Sequence, residues 1–114
     1  MMPRIRNVEF GNIKIDDETF GKEDFILFND GFERVEKSHQ PSLEEFQSIL
    51  LREPELVIFG TGFSGCVKIN NMIKKEAENN KIEIVILPTP DALKKFQELS
   101  KAGKRVAARI HTTC

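Results

Sequence analysis

The chain has 114 residues, 39% apolar and 31% charged, a composition that suits one soluble globular domain with its own core. Seventeen Lys and Arg against eighteen Asp and Glu leave a net charge of −1, which argues against a sequence-independent nucleic-acid binder. No apolar run approaches the roughly 20 residues that span a bilayer, and Met-Met-Pro-Arg-Ile-Arg-Asn at the start lacks the apolar stretch of a secretory signal, so a cytoplasmic location without membrane contact is expected.

The first third reads as β. Val8 and Phe10 alternate with polar residues, Gly11-Asn12 signals a turn, and Ile13 and Ile15 alternate again, predicting a first hairpin. The apolar run Phe25 to Phe28 leads through Asn29-Asp30-Gly31 into Phe32 to Val35. Asn, Asp and Gly tolerate positive φ, so a second hairpin is expected there.

The period then lengthens. Ser42 with Glu45 three residues on fits a capping box, and Leu43, Phe46 and Leu50 follow at helical spacing until Pro54. Leu56 to Phe59 is a continuous apolar run, as in a strand covered on both faces. Gly60 to Gly65 forms a loop. Ile69, Met72, Ile73 and Ala77 make an apolar helical stripe ended by Asn79-Asn80. Ile82 to Leu87 reads as a second buried strand. Thr89 as N-cap and Pro90 at the first position open a third helix, whose inner face is Ala92, Leu93, Phe96 and Leu99. Gly103 sits where a left-handed residue ends a helix, and Val106 to Ile110 is the last strand. The Lys74-Lys75 and Lys94-Lys95 pairs fall on solvated faces. Strands alternating with helices predict parallel pairing with right-handed crossovers. Residues 1–114 therefore read as a single α/β domain: a three-layer sandwich with a central mixed sheet, N-terminal β-hairpins followed by β-α-β-α-β.

Gly60-Thr61-Gly62-Phe63-Ser64-Gly65 matches G-x-G-x-x-G between a predicted strand and a predicted helix, where free N–H groups and the helix dipole favour an anion. A dinucleotide is not expected. The chain is too short for two mononucleotide-binding halves, and Ile86-Leu87-Pro88-Thr89 offers no acid for a ribose hydroxyl. Ser64 reads as a helix N-cap rather than a nucleophile, because Cys66 breaks the G-x-S-x-G elbow. The two cysteines, Cys66 and Cys114, form no Cys-x-x-Cys pair, so neither a metal site nor a cofactor is expected. A Cys66–Cys114 disulfide is the minority reading in a reducing compartment.

Arg105-Val106-Ala107-Ala108-Arg109-Ile110-His111-Thr112-Thr113-Cys114 is the most distinctive stretch. It resembles the R-x-V-small-small-x-x-H-x-T-C ending of the adipogenesis-associated Mth-domain proteins, a domain of unknown function, with Arg105 directly before Val106 where that pattern has one residue between. Val57 to Gly62 is similar to that family's strand followed by Gly-x-Gly, Ile86 to Thr89 with Ala92 to its strand-to-helix Thr-x-x-Ala, and Phe10-Gly11 to its aromatic-Gly pair. His39 falls where members often carry His. The sequence departs from the family in having no Trp or Tyr, with Phe32 where Trp is common; Gly65 is not a general family feature. The resemblance implies a three-layer fold with a central mixed sheet and no established enzyme activity. A mitochondrial assembly factor for respiratory complex I is among its relatives.

His111, at the end of an apolar strand, reads as a hydrogen-bonded structural residue before a base or ligand. Cys114 becomes reactive only beside a cation or helix N-terminus. His39 reads as a loop residue before the first helix. Arg105 and Arg109 share strand parity and would guard an edge strand or favour an anion. If the last strand returns beside the glycine loop, Gly60, Thr61, Gly62, Ser64, Gly65, His111 and Cys114 form one small polar pocket.

The expected role is a non-enzymatic interaction or assembly module, with a protein partner or self-association, as the nine Phe suggest. The alternative is a small-ligand or anion-binding domain using the Gly60–Gly65 loop. The third reading is an enzyme using His111 with Ser64 or Cys114.

Overall fold

The computed structural model describes residues 2–114. The strands are β1 (Ile5–Glu9), β2 (Asn12–Ile15), β3 (Glu18–Phe20), β4 (Asp24–Phe28), β5 (Gly31–Val35), β6 (Leu56–Gly60), β7 (Glu83–Leu87) and β8 (Val106–Ile110). The helices are α1 (Leu43–Leu50), α2 (Asn71–Asn79) and α3 (Thr89–Lys101). None is long and apolar enough to cross a membrane among the described residues.

β1-β2-β3 form a small antiparallel sheet. The main sheet has the order β5-β4-β8-β6-β7, antiparallel on the β5-β4-β8 side and parallel across β8-β6-β7. Strand alternation builds the layers. Phe25, Leu27, Ile58, Val106, Ala108 and Ile110 point to one face, where α3 (Ala92, Leu93, Phe96) and the small sheet (Ile13, Ile15, Phe20) cover them. Ile26, Phe28, Val57, Phe59 and Ala107 point to the other, under α1 (Phe46, Ile49) and α2 (Ile73, Ala77). Each fully buried side chain of this size contributes roughly 1.5–3 kcal/mol. The three-layer α/β sandwich with a central mixed sheet and a β-rich N-terminal layer is thus the architecture.

Several local expectations are corrected. Phe10 lies in the β1–β2 turn, 61% exposed, and β3 is a strand that no alternating run had marked. The turn at Asn29-Asp30 uses no positive φ. It is tied by the Asn29 side chain, which donates to Ser100 Oγ and the Lys104 carbonyl and accepts from Val106 N–H. Ser42 caps α1 through Glu45 N–H, but the Glu45 carboxylate turns to Arg109, so only half of the capping box forms. α2 begins at Asn71 with Asn70 as cap, not after Gly65, so Ser64 caps nothing, and Met72 faces solvent. β7 is an edge strand with Ile86 45% exposed, not a strand buried on both faces. Thr89 is the first residue of α3 and its hydroxyl caps no helical N–H. At the other end of α3 the expected signal holds. Gly103 (φ +84) donates to Ser100 and Lys104 to Leu99, the paired bonds of a Schellman ending.

β8 lies in the middle of the sheet, so Arg109 guards no edge. It is 1% exposed, whereas Arg105 precedes the strand and faces solvent.

Candidate functional site

From β6 the chain crosses to β7 on one side and then to β8 on the other. The carboxyl ends of β6 and β8 therefore sit side by side, with Gly60 opposite Ile110. In open α/β sheets ligands bind at such a reversal point. The residues that leave the two strands there, 61–66 and 111–114, build the candidate site.

Beneath it lies a buried ionic network. Arg109 follows the parity of Ala107 and points under α1. Its guanidinium donates to Asp24 (2.6 Å), to Glu45 (2.8 Å) and to the Glu36 carbonyl (3.1 Å). Asp24 opens β4 and is fully buried. Both its oxygens act as acceptors: Oδ2 for Arg109, His111 Nδ1 (2.9 Å) and Ser38 N–H, and Oδ1 for Thr112 N–H and hydroxyl. A carboxylate paired with a guanidinium only accepts, so the network assigns the His111 ring hydrogen to Nδ1. Nε2 then presents its lone pair away from Asp24, 3.3 Å from the Thr113 hydroxyl. No buried side-chain nitrogen or oxygen lacks a partner among the described residues, as a buried charged cluster requires.

The glycine loop is wrapped around the 111–114 segment. Phe63 N–H donates to the Thr113 carbonyl, and Ser64 and Cys66 N–H both donate to the Cys114 backbone oxygen. Gly62 N–H donates to the Thr89 hydroxyl, which donates in turn to the His111 carbonyl at 2.7 Å. Gly62 has φ +100, and a Cβ there would collide with the Cys114 carbonyl carbon and oxygen. Only glycine lets the segment lie so close. The Phe63, Ser64 and Cys66 amides thus bind the protein's own backbone, and α2, which starts at Asn71, does not follow directly from the loop.

The side chains of this segment meet a third piece of chain. His39 O accepts from Lys68 N–H, which ties the residues before α1 to the glycine loop. The exposed His39 ring stands edge-on to His111 with centroids 4.8 Å apart, and its Nε2 is 3.3 Å from Cys114 Sγ. One donor atom each of His39, His111 and Cys114 fall within 4.8 Å of one another. Cys66 stands beside them. Its thiol is pushed up from the ordinary value, first by its hydrogen bond with Cys114, then by burial and the Cys114 charge.

The fold therefore places Gly60, Thr61, Gly62, Ser64, Gly65, His111 and Cys114 together. Ser64 joins through its amide, and its residue is exposed. Sequence reasoning missed Asp24 and gave His39 no role. Two signals mark the buried pair: Asp24 abuts Phe25 to Phe28, and Arg109 stands inside Val106 to Ile110. Opposite charges embedded in apolar runs must find each other. Nothing local linked His39 to Cys114.

Residues 5–111 match the family described as Protein of unknown function (DUF498/DUF598). The chain is similar over 97% of its length to the conserved hypothetical protein PH1505 from Pyrococcus horikoshii OT3, with 33% identity, 99% of that chain covered and a TM-score of 0.85. It is also similar to MT938, at 25% identity over 98% of this chain and 99% of that one, with a TM-score of 0.76. A Mth938-like domain from Bordetella pertussis shares the fold at 13% identity, covering 96% of this chain and 85% of that one, with a TM-score of 0.70.

Proposed function

We propose, for a chain that belongs to the DUF498/DUF598 family, the role of a small-ligand-binding domain whose binding groups are the side chains of His39, His111 and Cys114. The observation that carries this reading is the convergence of their three donor atoms within 4.8 Å, drawn from chain segments far apart in sequence. Two features support it. The cluster stands at the carboxyl ends of β6 and β8, and a fully buried Asp24–Arg109 pair fixes the His111 ring. In this reading the glycine loop is the holder of the 111–114 segment, and its amides are not the anion contact. The same amides, already bonded to Thr113 and Cys114 oxygens, are not free to serve as an oxyanion hole, which favours binding over catalysis.

A thermal-shift screen tests it, with metal ions, phosphate, sulfate, nucleotides and soft electrophiles as compounds. A ligand of the folded state raises the midpoint by mass action. The expected result is a saturable rise that Cys114→Ser abolishes and Ser64→Ala leaves intact. A screen in which no rise depends on Cys114 or His39 overturns the reading.

One observation favours a second reading, an interaction or assembly module. Phe10 is 61% exposed at the same end of the molecule, its ring 5.8 Å from Phe63, and Gly11 N–H pins its turn to the Thr112 carbonyl. The other Phe residues give this reading no support, since six are core and two are half-buried. A partner lost on Phe10→Ser and retained on Met72→Ser would favour it.

A further inference from the structure

Resting on the ligand-binding reading and naming its ligand, we propose that His39 Nε2, His111 Nε2 and Cys114 Sγ coordinate a thiophilic divalent metal ion of the zinc class, three protein donors that leave the fourth position open. Imidazole and thiolate together select zinc-like ions over magnesium or calcium, which require oxygen ligands.

The geometry fits the ion. Zinc–nitrogen bonds near 2.0 Å and zinc–sulfur bonds near 2.3 Å at a tetrahedral centre set nitrogen and sulfur about 3.5 Å apart. His39 Nε2 and Cys114 Sγ stand 3.3 Å apart. The other separations, within 4.8 Å, close by rotation of the exposed His39 ring toward the fixed His111 and of the Cys114 side chain toward both. His111 is pre-set for the task. Its Nδ1 is bonded to the Asp24 carboxylate, the outer-shell arrangement that fixes a ligating imidazole and raises its basicity. The Thr113 hydroxyl, 3.3 Å from His111 Nε2, rotates aside when the ion takes that lone pair. Arg109, itself held by Glu45, locks Asp24 from behind. The absence of Cys-x-x-Cys spacing does not count against the site, because its donors come from two separate segments, residue 39 and residues 111–114.

The charge balance is simple. A divalent ion displaces one proton from the thiol it binds, so Cys114 releases one proton and the ion with its ligands keeps one positive charge. No oxidant is required.

Cobalt(II) is the probe. The reduced, chelator-treated protein is titrated with cobalt without oxygen, then with zinc. The proposal expects a 1:1 complex with a thiolate-to-cobalt band in the near ultraviolet and the strong visible bands of four-coordination, both erased by zinc. Cys114→Ser removes the sulfur band. His39→Ala, at an exposed position, keeps the fold and weakens cobalt binding at least about tenfold. A weak six-coordinate spectrum, or spectra unchanged in both variants, overturns the metal. If cobalt and zinc fail while a non-metal compound gives a Cys114-dependent thermal shift, the metal is wrong and the binding reading stands. If nothing depends on Cys114 or His39, both fall.

Discussion

The carboxylate of Asp24 and the imidazole of His111 meet at 2.9 Å in the interior, though 87 residues separate them in the chain. Both Asp24 oxygens are acceptors throughout, so an amide in either orientation sets an NH2 group against a donor. Asp24→Asn therefore leaves Arg109 with Glu45 as its one remaining carboxylate and is expected to cost about 3–5 kcal/mol in urea unfolding. Replacing both Asp24 and Arg109 with apolar residues restores part of that loss, not all, because His111 Nδ1 and the Thr112 N–H still lack their acceptor. A change below about 1 kcal/mol for Asp24→Asn would show that the network does not stabilise the fold.

Thr89 tests how the site is suspended. Its hydroxyl takes the Gly62 N–H and gives to the His111 carbonyl, both buried. Thr89→Val keeps the shape and leaves both groups unsatisfied, at about 1–3 kcal/mol each. Thr89→Ser keeps both bonds and should sit close to wild type. Equal losses for Ser and Val would assign the effect to packing.

Two glycines of one loop should respond unequally to alanine. Gly65 has φ +70, and its nearest contact for a Cβ is Thr61 Oγ1 at 3.9 Å, so Gly65→Ala carries only the left-handed strain of about 1–2 kcal/mol. Gly62→Ala adds a backbone collision with Cys114. It should cost more and speed amide exchange at Ser64 and Cys66, whose partner it displaces. Equal effects on exchange would mean that the segment is not held by the loop.

Glu55 offers a pH test away from the site. Its carboxylate accepts the Arg105 N–H at 2.9 Å, and that bond first, then the Arg105 and Lys104 charges, holds it below the usual range. A folded pKa below the unfolded value gives stability present above the unfolded pKa and lost as pH falls through the folded one. Carboxyl-carbon NMR should find Glu55 titrating below the exposed glutamates, and Glu55→Gln should flatten the acid limb slightly. A Glu55 that titrates with its neighbours refutes the bond.

The period changes along the chain made the layers legible, because burial on one or both faces writes itself into alternation and helical stripes. Where chemistry of one type occurs twice, the local signal could not choose. Ser64 and Asn70 are both capping types, and only the path out of the glycine loop puts α2 after Asn70. The run Ile82 to Leu87 reads like that of β6, yet β7 has a neighbour on one side alone. The site was half legible. His111, Cys114 and the loop could be grouped from strand order. Asp24 and His39 could not, since their partners lie 87 and 75 residues away.

The central place of β8 has a consequence for how the molecule assembles. β4 and β6 do not touch in the sheet; each bonds to β8, and Phe25 finds Ile110 across most of the chain. During synthesis the β4–β5 hairpin and the β6–β7 pair must wait as two pieces, each with an open apolar edge, until residues 106–110 emerge. Pairings this distant make folding slow and leave the waiting edges exposed to wrong partners. A ribosome stalled before residue 106 would hold a species suited to chaperones.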